Sequence, residues 1–190
     1  MTTEELRESL MMSPQNGYAA LTAQQREDMN AYIKRYMAFM DACKTEREAT
    51  AWTVAEAEKL GFKPFVPGMD AKPGDKIYYN NHNKAIALAV IGQESLAKGV
   101  NICAAHVDSP RMDLKPNPLY EDSEIAYFKT HYYGGIKKYQ WVTTPLALHG
   151  VVYRKDGSMV TVTIGEEDTD PVLMISDLLI HLSADQMQKP

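Results

Sequence analysis

The stretch from Gly99 to Tyr120 constrains the fold of this chain most, because an apolar run in it ends abruptly at polar residues. An apolar run of this length is typical of a strand buried on both faces, so we expect a strand over residues 99–107. Side chains alternate along a strand, which would place His106 and Asp108 on the same side. Pro110 lacks a backbone donor and predicts that the strand stops before it.

Two interpretations of His106 are open from these residues. In the first, the Asp108 carboxylate accepts a hydrogen bond from one imidazole nitrogen, and the other nitrogen offers its lone pair to a metal ion. In the second, His106 is an ordinary hydrogen-bonded histidine, and Asp108 begins a turn in which it accepts from backbone amides. Metal ligands come in clusters, and one histidine is not a cluster, so spacing alone favours the second interpretation.

Three segments resemble the aspartyl aminopeptidase family of metallopeptidases in order and approximate spacing. They are Ala105–Arg111 with Asp113–Tyr120, then Tyr132–Trp141, then Ile175–Leu182, where the chain is similar to the family's short helix ending in a functional histidine. The resemblance covers the second half of the chain, and the first half agrees in pattern only. With the resemblance included, a metal-ligand role for His106 is favoured.

The resemblance implies a peptide hydrolase with two zinc ions in each complete site, although other divalent metals are possible. His106 would be a terminal metal ligand, and Asp108 would orient its ring. His181 would reach the site of a neighbouring subunit in a homo-oligomer and stabilise the substrate or the tetrahedral intermediate. The metal ions would polarise the scissile carbonyl and activate a bridging water.

The family is much longer than this chain, and its other metal ligands and its catalytic glutamate pair would lie beyond residue 190. We therefore expect an N-terminal portion, inactive until the missing C-terminal half of the catalytic domain is supplied. The acidic pairs within the chain, Glu4-Glu5 and Glu166-Glu167, are interpreted as solvated charge. The alternative is a non-catalytic truncated relative that acts as an oligomerisation or binding module. That alternative predicts assembly without metal binding.

The chain begins with helices and continues into strands, which predicts a layered α/β fold with the site at a strand end. Capping boxes at Thr22 and Thr45 start two helices, and Gly61 stops the second. The apolar side chains of the first of these helices are expected in the core. An Asn-rich turn at residues 80–83 and the dipeptide Asp156-Gly157 predict two β-hairpins.

Residues 84–91 are apolar on both faces, which predicts a strand covered on each side by helices. By the resemblance, residues 1–115 form the N-terminal part of a catalytic α/β metallopeptidase domain. Residues 116–190 would begin a β-rich dimerisation domain.

Composition narrows the possible partners and the compartment. The 20 basic and 25 acidic residues are interspersed and give a net charge of −5, so no basic stripe indicates nucleic acid binding. No apolar run approaches the length of a membrane span. The chain has 2 cysteines, far apart and without metal spacing, which favours reduced thiols and a cytoplasmic location.

Overall fold

A computed structural model describes residues 2–188 and, for residue 187, only the backbone. The chain divides into two compact units, residues 1–42 and 43–190. The helices are α1 (Thr3–Leu10), α2 (Ala23–Ala42) and α3 (Glu46–Lys59). The strands are β1 (Lys63–Pro64), β2 (Lys76–Asn81), β3 (Ala85–Val90), β4 (Arg111–Asp122), β5 (Ile125–Tyr133), β6 (Leu148–Tyr153) and β7 (Met159–Ile164). Short 3-10 turns occur at Leu96–Lys98, Lys138–Gln140 and Gln186–Gln188.

The first unit contains α1 and α2. The capping box predicted for α2 is confirmed, since Thr22 and Gln25 each accept a hydrogen bond from the other's backbone amide. The prediction that the apolar side chains of α2 lie in a core is wrong, because Ile33 and Met37 are exposed. An apolar helix face is buried only where another element covers it, and α1 is the one other helix among the described residues of this unit.

In the second unit, α3 packs against β2 and β3. It begins at the predicted capping box, where Thr45 and Glu48 bond to each other's backbone amides. Its last residue is Lys59, Leu60 is its C-cap, and Gly61 follows with a φ of 85°, a left-handed conformation that favours glycine. The contact with the sheet buries small residues of α3 together with Tyr78, whose hydroxyl donates to Glu58 at 2.7 Å.

The sheet next to α3 has the strand order β1-β2-β3, parallel between β1 and β2 and antiparallel between β2 and β3. The predicted turn is confirmed, and His82 and Asn83 adopt positive φ angles of 54° and 57° at its centre. The prediction that β3 is buried on both faces is wrong, since most of its side chains are exposed. Among the described residues, α3 is the one helix that packs against this sheet.

The expected strand over residues 99–107 is absent, because residues 99–110 belong to no helix or strand and the next strand begins at Arg111. A central strand is fixed by hydrogen bonds to neighbouring strands, and the described part of the chain offers none to this segment. The apolar pattern of residues 99–107 thus favours a buried strand, but the described residues provide no neighbouring strand for it.

Two antiparallel hairpins follow, β4–β5 and β6–β7. The turn of the second is the predicted one, with Gly157 at a φ of 84°. The prediction of a short helix over residues 175–182 is wrong. The segment instead contains an isolated bridge at Ile175 and a turn that includes His181. Leu182 closes this turn by donating to the Leu179 carbonyl at 2.8 Å, and the turn does not continue into a helix.

Much apolar surface remains accessible. The total solvent-accessible surface of the chain is 16454 Å², whereas a folded monomer of its mass has a total accessible surface of about 9,000 Å². In the described residues, the buried hydrophobic side chains are those of Ala49, Ala57 and Tyr78. Between residues 2 and 188 there is no helix with the length and apolar character needed to cross a bilayer.

Candidate metal-ligand segment and the charged cluster beside it

The imidazole of His106 is oriented by the backbone two residues further along the chain. Its Nδ1 lies 2.8 Å from the carbonyl oxygen of Asp108 and 3.4 Å from the carboxylate oxygen Oδ1 of the same residue. A carbonyl oxygen can only accept, so this contact requires the proton on Nδ1. In the neutral ring, Nε2 then carries a lone pair, and the side chain is 82% exposed. The geometry suits a metal ligand, with the backbone rather than the carboxylate as the closer orienting group.

The Asp108 carboxylate is held by a different partner. Its Oδ2 accepts a hydrogen bond from the Tyr133 hydroxyl at 2.9 Å, and this bond is the main reason that the pKa of Asp108 is lowered. The same contact raises the pKa of Tyr133. Tyr133 is the last residue of β5, so the end of the β4–β5 hairpin contacts the segment that carries His106.

Arg111, the first residue of β4, connects this contact to α3. Its guanidinium carbon lies 4.2 Å from the centre of the Tyr133 ring, a cation–π distance. Its Nε donates to Asp113 at 2.8 Å, and its Nη1 lies 3.5 Å from a Glu46 carboxylate oxygen. Burial opposes the charge of Arg111, but these acidic neighbours outweigh it and raise the pKa of the guanidinium.

The described residues fit one ligand of a metal site. Residues 2–188 contain no group of three or more histidine, cysteine, aspartate or glutamate side chains arranged to hold a metal ion. A structural or catalytic zinc ion takes at least three protein ligands, so His106 would be one member of a set completed elsewhere. His181 is exposed in its turn, and its role in a neighbouring subunit stays a prediction, as do the roles of His106 and Asp108.

A second cluster, not foreseen from the sequence, centres on His149 in β6. Its Nδ1 lies 2.8 Å from a Glu48 oxygen and its Nε2 lies 2.8 Å from a Glu166 oxygen. Ionised carboxylates only accept, so both ring nitrogens must donate and the ring is an imidazolium. Partial burial lowers the pKa of His149, but the hydrogen bonds that the ring donates to Glu48 and then Glu166, together with the charges of both carboxylates, outweigh it, and the net pKa is raised. Glu166 is exposed, as expected of solvated charge, but its carboxylate is also paired with His149.

The sequence carried a weak signal for this cluster. His149 interrupts an otherwise apolar strand pattern, which marks it as a polar residue in need of partners. Those partners lie 101 and 17 residues away in the chain, too far for any local pattern to identify them. His149, Glu48 and Arg111 line one cleft of about 460 Å³, together with Thr45 and Thr161.

The chain matches known proteins over most of its length. The family model described as aminopeptidase I zinc metalloprotease (M18) matches residues 39–190. A probable M18 family aminopeptidase 1 of Clostridium acetobutylicum is 46% identical over 184 residues, which is 95% of this chain and 40% of that protein. The chain thus spans about 40% of the length of this curated relative.

Solved structures agree. The crystal structure of aminopeptidase I from Borrelia burgdorferi B31 superposes with a TM-score of 0.82 at 42% identity, covering 87% of this chain and 41% of that one. The S. cerevisiae mApe1 dodecamer gives a TM-score of 0.64 at 21% identity, covering 76% of this chain and 35% of that one. At that identity the similarity to the dodecamer concerns the fold alone.

Proposed function

Because this chain belongs to the M18 family of aminopeptidase I zinc metalloproteases, we propose that it forms the N-terminal part of an aminopeptidase. The complete enzyme would hydrolyse the N-terminal peptide bond of peptide substrates with two zinc ions in each site. The partners of this part would be the remainder of the catalytic domain and further copies of the same protein. A cytoplasmic location is supported by the free thiols of Cys43 and Cys103.

The observation that carries the proposal is the orientation of His106. Its Nδ1 is satisfied by the Asp108 carbonyl at 2.8 Å, and its exposed Nε2 faces solvent with a lone pair available. Imidazole nitrogen is a preferred zinc ligand, and a hydrogen bond at the other nitrogen is the usual way to fix the tautomer. When bound, zinc supplies Lewis acidity toward the scissile carbonyl and lowers the pKa of a water.

The roles of the other residues follow from this assignment. Asp108 orients the His106 ring through its backbone carbonyl, and its carboxylate, 3.4 Å from Nδ1, adds a favourable charge. His181 would serve the site of a neighbouring copy, and its exposure is consistent with such a contact. A homo-oligomer is supported by the exposed apolar surface, which a monomer of this part leaves uncovered.

A chimera tests the proposal, because the chain alone holds one candidate ligand. The 190-residue chain replaces the matching 40% of the Clostridium relative, and the product is assayed with zinc on an aminoacyl p-nitroanilide. Removing the partner of a metal ligand costs about 10–100-fold, so removing the ligand itself in His106→Ala should cost more than about 100-fold. His131→Ala, an exposed histidine stacked on Tyr132, is the matched control.

Two measurements decide the outcome. If the chimera binds zinc and hydrolyses the substrate, and both properties fall in His106→Ala but not in His131→Ala, the proposal holds. A chimera whose zinc content and activity are unchanged in His106→Ala would contradict the ligand assignment. A chimera that assembles to a defined oligomer yet binds no zinc would support the alternative, an assembly module without the chemistry.

A further inference from the structure

The segment that carries His106 is attached to the rest of the fold by side chains. Residues 99–110 belong to no helix or strand, so a backbone ladder does not fix their position. A metal ligand must nevertheless be held to within about 0.5 Å of its productive geometry by its surroundings. The contacts of this segment with the β4–β5 hairpin therefore decide how well His106 is aimed.

The closest of these contacts joins Tyr133 to Asp108. The hydroxyl donates to Oδ2 at 2.9 Å across a separation of 25 residues in the chain. Two weaker contacts lie beside it. Arg111 Nη1 is 3.5 Å from the Ser109 carbonyl oxygen, and Gly134 packs against Pro110, where an added Cβ would lie 3.5 Å from the proline ring.

Tyr133 is itself held in place, which is necessary if it is to position another group. Its backbone pairs with Arg111 in the register of the β4–β5 hairpin. Its ring lies under the Arg111 guanidinium at 4.2 Å, and that guanidinium is in turn bonded to Asp113. The tyrosine is therefore restrained through both its backbone and its ring.

We propose that Tyr133 is a positioning residue for His106. Its hydroxyl holds the Asp108 side chain and so fixes the position of the Asp108 carbonyl. That carbonyl accepts a hydrogen bond from His106 Nδ1, which sets the direction of Nε2. The inference rests on the proposed function in one respect, namely that His106 is a metal ligand. It adds a residue from the β4–β5 hairpin. No motif in the sequence predicts the contact between this hairpin and the His106 segment.

The first test reads the tautomer of His106 in the chain as it stands, by nitrogen-15 NMR at about pH 8, above the ordinary histidine pKa of about 6.5. The wild type should show the proton on Nδ1, whereas a free imidazole side chain mostly carries it on Nε2. Tyr133→Phe keeps the ring under Arg111 and removes the hydroxyl, and should shift His106 toward the free mixture. Tyr132→Phe, the exposed neighbour, is the control, and His106→Ala assigns the signal.

The second test measures zinc affinity by chelator competition in the chimera. Tyr133→Phe should weaken zinc binding by about tenfold, the lower end of the range for partners that orient ligands. The substitution should also lower kcat, with little change in KM. In an Asp108→Ala background, which removes the acceptor of the Tyr133 hydroxyl, the same substitution should have little further effect, because Tyr133 acts through the Asp108 side chain.

The outcomes separate this inference from the proposed function. If Tyr133→Phe matches Tyr132→Phe in both tautomer and zinc affinity, Tyr133 does not position His106. A changed tautomer with unchanged zinc affinity also overturns the proposal, since the effect would not reach the metal. If the chimera binds no zinc, the proposed function fails, and the tautomer alone then decides whether Tyr133 orients the ring.

Discussion

Replacing His149 with glutamine should destabilise the chain by about 2 kcal/mol near pH 6. His149 is 12% exposed and its two carboxylate contacts are both 2.8 Å. The bond to Glu48, whose side chain is 28% exposed, falls in the range of about 1.5–3 kcal/mol for hydrogen bonds to charged groups. The bond to Glu166, 43% exposed, is screened by solvent and adds about 0.5 kcal/mol.

The stabilisation by His149 should depend on pH, and its direction follows from the pKa values of His149 and Glu48. The pKa of His149 is raised in the folded state, so its contribution is complete below about pH 6.5, the ordinary histidine value. The contribution is lost as the pH rises through the higher folded pKa. Burial opposes the ionisation of Glu48, but the hydrogen bonds from His149, Thr45 and the Lys44 amide, with the His149 charge, together outweigh it and lower the net pKa. The contribution of Glu48 is therefore complete above about pH 4.5. Both contributions are therefore present between about pH 4.5 and 6.5.

Urea unfolding followed by circular dichroism, at pH 6 and again at pH 9, measures the effect. The wild type should exceed His149→Gln by about 2 kcal/mol at pH 6, and the difference should shrink at pH 9. His131→Gln, an exposed histidine, should match the wild type at both values. A difference that is equal at pH 6 and pH 9, or absent at pH 6, would refute the assignment of a charged imidazolium bridging two carboxylates.

Two further predictions concern local structure. Thr45→Ala removes the side-chain acceptor of the capping box that begins α3 and should lower the free energy of unfolding by about 1 kcal/mol. Thr45→Ser should restore it, and equal stability of the alanine and serine variants in urea would contradict the role of the cap. Gly157→Ala places a Cβ at a φ of 84° in the β6–β7 turn and should cost about 1–2 kcal/mol. Gly135→Ala meets nothing within 4 Å, and equal melting temperatures for the two variants would show that the turn tolerates a side chain.

Features that depend on neighbours in the sequence were predicted well. The caps at Thr22 and Thr45 and the turns at residues 80–83 and 156–157 are all present. Each of them is stabilised by bonds that span only a few residues, so the information lies within the pattern itself. A side-chain oxygen three residues from an amide finds it whatever the rest of the chain does.

Features that depend on distant partners were predicted poorly. The strand expected over residues 99–107 and the helix expected over residues 175–182 lack neighbours that would stabilise them among the residues described. The site divides in the same way. His106 and Asp108 were found from a motif, whereas the contacts of Tyr133 with Asp108 and of His149 with Glu48 join residues 25 and 101 positions apart. A single sequence holds no local record of such pairs.

The position of β3 at one end of the sheet has a consequence for how a longer protein would be built. One edge of β3 pairs with β2, and the described residues place no strand on the other. The backbone amides and carbonyls of that free edge form a template onto which a further strand can be added. A sheet of this kind can grow strand by strand as later chain segments become available. Without such a segment, the free edge of β3 can pair with the same edge of a second copy of the chain. Dilution should therefore favour the monomer.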